Sequence, residues 1–140
     1  MSNGSGLQSC GLAALRIVVG VIFLMHGGQK FGMGFHNVAG FLGSLGIPLP
    51  TLAAIVLTLA ESFGGIALIL GLLTRYAAAL LAIDILVALI TFHIKNGFFA
   101  QSGGVEFPLL LLVANINLVL AGAGALGVDT LRKKKTQATT

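Results

Sequence analysis

The chain has 140 residues, of which 56% are hydrophobic and only 9% charged, with 20 glycines and a mean hydropathy of +1.02. Soluble domains carry about 25% charged residues, so a water-soluble globular domain is excluded, and one compact membrane-embedded bundle is what this length can build. The net charge of +4 is no nucleic-acid signature, because four of the eight basic residues form the run Arg132, Lys133, Lys134 and Lys135, without interleaved aromatics.

Residues 1–10 read as an N-terminal tail. Residues 1–15 hold no Lys or Arg, Arg16 interrupts the first apolar run, and no A-x-A-like site follows, so that run reads as a retained span and not a signal peptide. Leu7 to Cys10 resembles a lipidation box but lacks a preceding hydrophobic segment. Cys10 is the single cysteine, which excludes an intramolecular disulfide and dithiol chemistry within this chain.

The hydropathy pattern predicts four transmembrane helices, at residues 11–31, 52–73, 76–93 and 107–128. Each is long enough, at about 1.5 Å per residue, to cross a hydrocarbon core of about 30 Å. Together they make an all-α, integral membrane four-helix bundle over residues 11–128, followed by a basic cytoplasmic tail at 129–140. Ala60 with Gly64, Ala78 with Ala82, and Ala121 with Ala125 put small residues four apart on single faces, where helices can approach closely. With both termini in the cytoplasm, Arg75 and the four-residue tail run fall inside, while Lys30 and Lys95 fall outside. This asymmetry predicts an N-in, C-in topology.

Between the first two helices, residues 32–51 form an outer loop rich in glycine, with Pro48 and Pro50 forcing their predecessors out of helical geometry. Phe35, Val38, Phe41, Leu42 and Leu45 would be costly in water, which predicts an interfacial amphipathic helix over residues 36–45, or one folded over the bundle mouth. A second outer loop covers residues 94–106, whereas the inner connection at Thr74 and Arg75 is short. The elaborated face is therefore the outer one.

Ionisable residues inside the spans are where function is sought, since each costs several kcal/mol, about 3 or more on insertion scales, unless paired or facing a polar cavity. Arg16, Asp84, Glu61 and His26 qualify. Counted from the inner surface, they lie roughly 8, 12, 18 and 22 Å deep. Arg16 and Asp84, at similar depth, are expected to form a structural ion pair. Glu61, with His26 above it and Asn115 or Asn117 on the fourth helix, is a neutral acid or a carboxylate according to which neighbour approaches. Glu61 and His26 are thus the candidates for proton handling or a quinone site. Lys30, His93 and Glu106 form an expected polar cluster at the outer mouth. No H-x-x-H, H-E-x-x-H or Cys/His cluster is present, so no metal site is expected.

Arg16, Gly20, His26-Gly27 and Lys30, then Gly46-Ile47-Pro48, resemble the opening of the DoxX family of small four-helix bacterial membrane proteins. Glu61-Ser62-Phe63-Gly64-Gly65, followed by Gly71-Leu72-Leu73-Thr74-Arg75, is similar to that family's central signature. The resemblance continues through His93, Gly97-Phe98-Phe99, Gly104-Val105-Glu106 and a final Gly-Ala-Gly before Asp129, with Ala123 standing where the pattern has proline. It covers roughly residues 12–130.

The resemblance implies a multi-pass protein of the bacterial inner (plasma) membrane working beside redox enzymes. Family members are described as a small subunit of a thiosulfate:quinone oxidoreductase, and as an anchor joining a sulfurtransferase to a superoxide dismutase. The chain has no haem-spaced histidines, nucleotide-binding glycine motif or cysteine pair. Any electrons must therefore come through a soluble or membrane redox partner protein or a bound quinone. The leading expectation is a membrane subunit of a quinone- or thiol/sulfur-linked oxidoreductase. A small oligomeric transporter or proton-conducting bundle, requiring homo-oligomers to enclose a path, and a non-catalytic membrane scaffold are the alternatives.

Overall fold

The computed structural model describes residues 3–137, without the side chains of residues 3–5, 133 and 134. All regular elements among the described residues are helical. They are α1 (Asn3–Met33), α2 (Phe35–Ser44), α3 (Pro50–Leu70), α4 (Thr74–Thr91), α5 (Glu106–Ala121) and α6 (Val128–Gln137), with two short 3-10 turns at His93–Asn96 and Ala100–Ser102. Three helices, α1, α3 and α4, are long and apolar enough to cross a membrane, and the apolar α5 is shorter at 16 residues. The four pack in the ring order α1, α3, α4, α5.

The helix ends follow local chemistry. Gly34, at φ 80°, breaks α1 and lets α2 fold back, burying Val38 and Ala39 against Ala54 of α3. This is the expected amphipathic helix, in its folded-over form. Pro50 opens α3, where its missing N–H costs nothing. Gly71, at φ 68°, closes α3 in the left-handed conformation that glycine adopts without a Cβ clash.

Two spans depart from the hydropathy limits. α1 begins at Asn3, so most of the expected N-terminal tail is helix. Its first turns are held from outside, by Ala125 N–H donating to Ser9 O and by Gly124 lying against Ser9 and Leu12. The fourth span stops at Ala121, because Gly122 and Gly124 (φ 88° and 67°) turn the chain beneath the bundle instead of continuing to residue 128. The segment after it is the amphipathic α6. Residues 1, 2 and 138–140 of the two expected tails lie outside the described residues.

Contact between α1 and α3 is at backbone distance. A Cβ on Gly20 would lie 2.7 Å from Gly65 O, and one on Gly65 would lie 2.7 Å from Gly20 O and from Leu24 N. Two turns further along α1, Gly27 is equally tight against Ser62. Glycines at these positions let membrane helices touch where larger residues would hold them apart. On the opposite face of α3, Gly64 receives Leu81 of α4. A layer of Val19, Phe23, Leu68, Leu81, Leu111 and Leu118 fills the middle of the bundle.

Candidate functional site

The Gly27–Ser62 contact fixes the register of α1 on α3, and the charged site follows from it. Lys30 lies one turn beyond Gly27, and Glu61 immediately precedes Ser62. The Lys30 ammonium therefore meets the Glu61 carboxylate, Nζ to Oε2 2.5 Å, with the two side chains 21% and 9% exposed. Asp84 of α4 completes the group. Its carboxyl lies within electrostatic reach of both Glu61 and Lys30 and lines the same cavity. Two carboxyls and one ammonium carry one net negative charge when all are ionised and none when the carboxyls hold one proton between them.

These three residues line a cavity of about 520 Å³. The rest of its lining is mostly apolar, with Phe23 on α1, Leu57 on α3, Ile85 and Ala88 on α4, and Pro108 and Leu111 on α5, while His26, Gln29, Thr91 and His93 add polar groups. Val38, Phe41 and Leu42 of α2, with Leu45 just after it, roof it. A concave apolar chamber with a few converging polar groups is the usual form of a small-molecule site.

The structure brings together only part of what the sequence pointed to. Glu61 and His26 share the cavity, but His26 lines it from an exposed position on its rim. The expected Arg16–Asp84 pair does not form. Arg16 is 1% exposed, and its Nη1 donates to Leu68 O at 2.6 Å and Ile69 O at 2.8 Å, with Nη2 at 3.5 Å from Ala125 O. Asp84 lies ten residues beyond the start of α4 at Thr74, about 15 Å along the axis. The last carbonyls of α3 are within reach instead, and a helix C-terminus attracts a cation.

Nor does the expected outer cluster of Lys30, His93 and Glu106 assemble. Lys30 turns inward to Glu61; His93 Nδ1 pairs with Gly103 O at 2.6 Å; Glu106 accepts from Ala100 N–H at 2.9 Å. The latter two brace the loop, although His93 also reaches the cavity wall. Asn115 is no partner for Glu61, since its Nδ2 donates to Leu111 O within its own helix and Asn117 is exposed. Among the described residues no group of three His, Cys, Asp or Glu side chains is placed to hold a metal.

Asp129 was not visible as a structural residue in the sequence. It begins α6, and its carboxylate accepts from Leu73 N–H at 2.9 Å and Thr74 N–H at 2.8 Å, capping α4. Burial pushes its carboxyl upward, but these amide bonds and the Arg132 charge outweigh that and hold it below its ordinary range. The available signal was a deficit in α4. Leu73, the residue before that helix, is left-handed at φ 48° and offers no capping side chain.

The DoxX family model matches residues 11–94, the segment that contains Arg16, Lys30, Glu61 and Asp84. The chain belongs to the DoxX family. Among related DoxX-like proteins, one of Bacillus subtilis named "Putative oxidoreductase CatD" is 38% identical over 85% of this chain and 84% of its own length. The "Inner membrane protein YphA" of Escherichia coli is 33% identical over 84% of this chain and 87% of its own. An uncharacterized membrane protein of Mycobacterium tuberculosis is 30% identical over 89% and 82%. No solved structure matches the chain.

Proposed function

We propose that this DoxX protein is the membrane subunit of a quinone- or thiol/sulfur-linked oxidoreductase complex in the bacterial inner membrane, and that its cavity receives the quinone. Both termini would face the cytoplasm, together with the turn between α3 and α4. The observation that carries the reading is the Lys30–Glu61–Asp84 group, contributed by α1, α3 and α4, lining a mostly apolar chamber. The name of the Bacillus subtilis relative supports the redox association.

The residues fit such a ligand. Phe23, Leu57, Ile85 and Leu111 offer apolar contact for a ring, and Lys30, Glu61 and Asp84 offer polar groups in the same lining. A quinone, when bound, supplies an electron acceptor whose reduction also consumes protons. Lys30 is placed to donate a hydrogen bond to a carbonyl oxygen. Glu61 and Asp84 would hold a proton and release it toward such a ligand. Electrons would come from a partner protein.

Conduction through the bundle is the weaker reading. The core layer of Val19, Leu68, Leu81 and Leu118 separates this cavity from a second one of about 500 Å³ at the Asp129 end, and the two share no lining residue.

The test is mild-detergent purification from native membranes, with mass spectrometry of co-purifying proteins and extraction of quinones, followed by Glu61→Gln. A stoichiometric oxidoreductase and loss of partner-dependent quinone reduction in a folded Glu61→Gln protein are expected. A homo-oligomer carrying neither, or full quinone reduction by the variant, would overturn the proposal.

A further inference from the structure

We propose that the cavity opens sideways into the bilayer, through the seam between α1 and α5, and that its ligand is a lipid-dissolved amphiphile whose head reaches Lys30 and Glu61 while its apolar tail leaves past His26 and Gln29. The identity of the head rests on the redox reading above; the portal rests on packing alone.

The four seams of the bundle are not alike. Backbone contact closes α1 on α3, Leu81 against Gly64 closes α3 on α4, and α4 and α5 are densely packed; the α1–α5 seam is the thinnest. Helical geometry places His26 and Gln29 beside it. With Gly20, Leu24 and Gly27 turned toward α3, steps of about 100° per residue put positions 15, 18, 22, 26 and 29 on the strip away from α3 that borders α5. Lower on this strip Leu15 and Ile22 pack against the central core, with the exposed Val18 between them. At the level of the cavity its members are His26 and Gln29, both exposed and both lining the cavity. Across the gap stand Pro108 and the 40%-exposed Phe107.

Toward the loop end, Val38, Phe41 and Leu42 of α2, with Leu45 just after it, form an apolar roof over the cavity. The apolar part of the lining, from Phe23, Leu57, Ile85, Pro108 and Leu111, suits a ligand that carries an apolar tail.

The portal is tested in liposomes on a Cys10→Ser background carrying Ala88→Cys, a position on the cavity wall. N-dodecylmaleimide delivered in the lipid is expected to label this thiol faster than a water-soluble disulfonated maleimide does. Adding Gln29→Trp or His26→Trp should suppress the dodecyl labelling by about tenfold, the effect of denying the tail roughly two methylenes of burial. Gly28→Trp, whose side chain would enter open space, is the control and should change nothing. Labelling that favours the water-soluble reagent, or that ignores both tryptophans in thermally stable variants, would overturn the lateral portal.

The ligand class is tested by binding of 2,3-dimethoxy-5-methylbenzoquinone, with and without a decyl tail, to the intact protein in nanodiscs. The tailed compound should bind about tenfold tighter, and Gln29→Trp should erase that difference while sparing the tail-free compound. Equal binding of the two compounds would overturn the tail's path. Binding of neither would overturn the quinone reading, and the maleimide result would then decide the portal independently.

Discussion

Arg16 and Asp129 hold opposite sides of one turn: the Arg16 guanidinium caps the carbonyls that end α3, and the Asp129 carboxylate caps the amides that begin α4. Each opposes the helix dipole it faces. The charges come from α1 and α6, so the short α3–α4 connection is clamped by the two ends of the chain. Asp129 N–H also donates to Gly71 O, at 2.9 Å, within the same turn.

Replacing Arg16 by Leu leaves the buried carbonyls of Leu68 and Ile69 without their donors, at about 1–3 kcal/mol for each buried group. The expected result is a loss of about 3 kcal/mol of stability. SDS-induced unfolding followed by circular dichroism measures it, and a wild-type midpoint would refute the capping role.

For Asp129 the sign follows from its lowered folded-state value. The unfolded carboxylate titrates near its ordinary value of about 3.9, so the unfolded chain binds more protons in the window below it. Stability from this group is thus complete above about pH 4 and is lost as pH falls through the folded-state value. Asp129→Asn should cost about 1 kcal/mol at neutral pH, typical of a lost helix cap. The gap to wild type should narrow in acid. A gap independent of pH would exclude the carboxylate's charge as its origin.

Lys30→Met leaves Glu61 and Asp84 without their cation, a change expected to cost about 3 kcal/mol if both carboxyls stay ionised. Lys30→Met combined with Glu61→Gln should recover much of that loss, because no buried charge is then stranded beside Asp84. A double-mutant cycle in thermal unfolding checks it. Strict additivity would mean that the pair contributes no coupling.

Gly65→Ala places a methyl 2.7 Å from Gly20 O and Leu24 N, where only backbone can give way. A loss of about 2 kcal/mol is expected, in the range for overpacking. Gly28→Ala, on α1, meets open space and should be near neutral. Equal melting temperatures for the two variants would contradict the close approach.

The helical membrane architecture was legible because hydropathy and length report directly on bilayer crossing, and α2 because Phe35, Val38, Phe41, Leu42 and Leu45 recur at helical spacing. Glu61 and Asp84 stood out by the cost of burying them. Their partners did not, because depth counted along separate spans assumes a common origin for all helices. The true register is set by Gly20 on Gly65 and Gly27 on Ser62, which carries Lys30 to Glu61. Arg16 found backbone carbonyls, and those have no signature in side-chain chemistry. Asp129 sits in a polar segment where a carboxylate needs no explanation, so nothing marked it as a cap.

The glycine contact between α1 and α3 also settles where the molecule can bend. With no layer of side chains between them, the two helices have nothing compressible to slide on, and they behave as one stiff plank with Lys30 and Glu61 fastened near one end and Arg16 near the other. Compliance is left to the other half, where α5 meets α1 only lightly. Any breathing that widens the chamber must therefore be a movement of α4 and α5 against a stationary ion pair. Asp84, riding on the mobile half, would be the group whose distance to that pair changes.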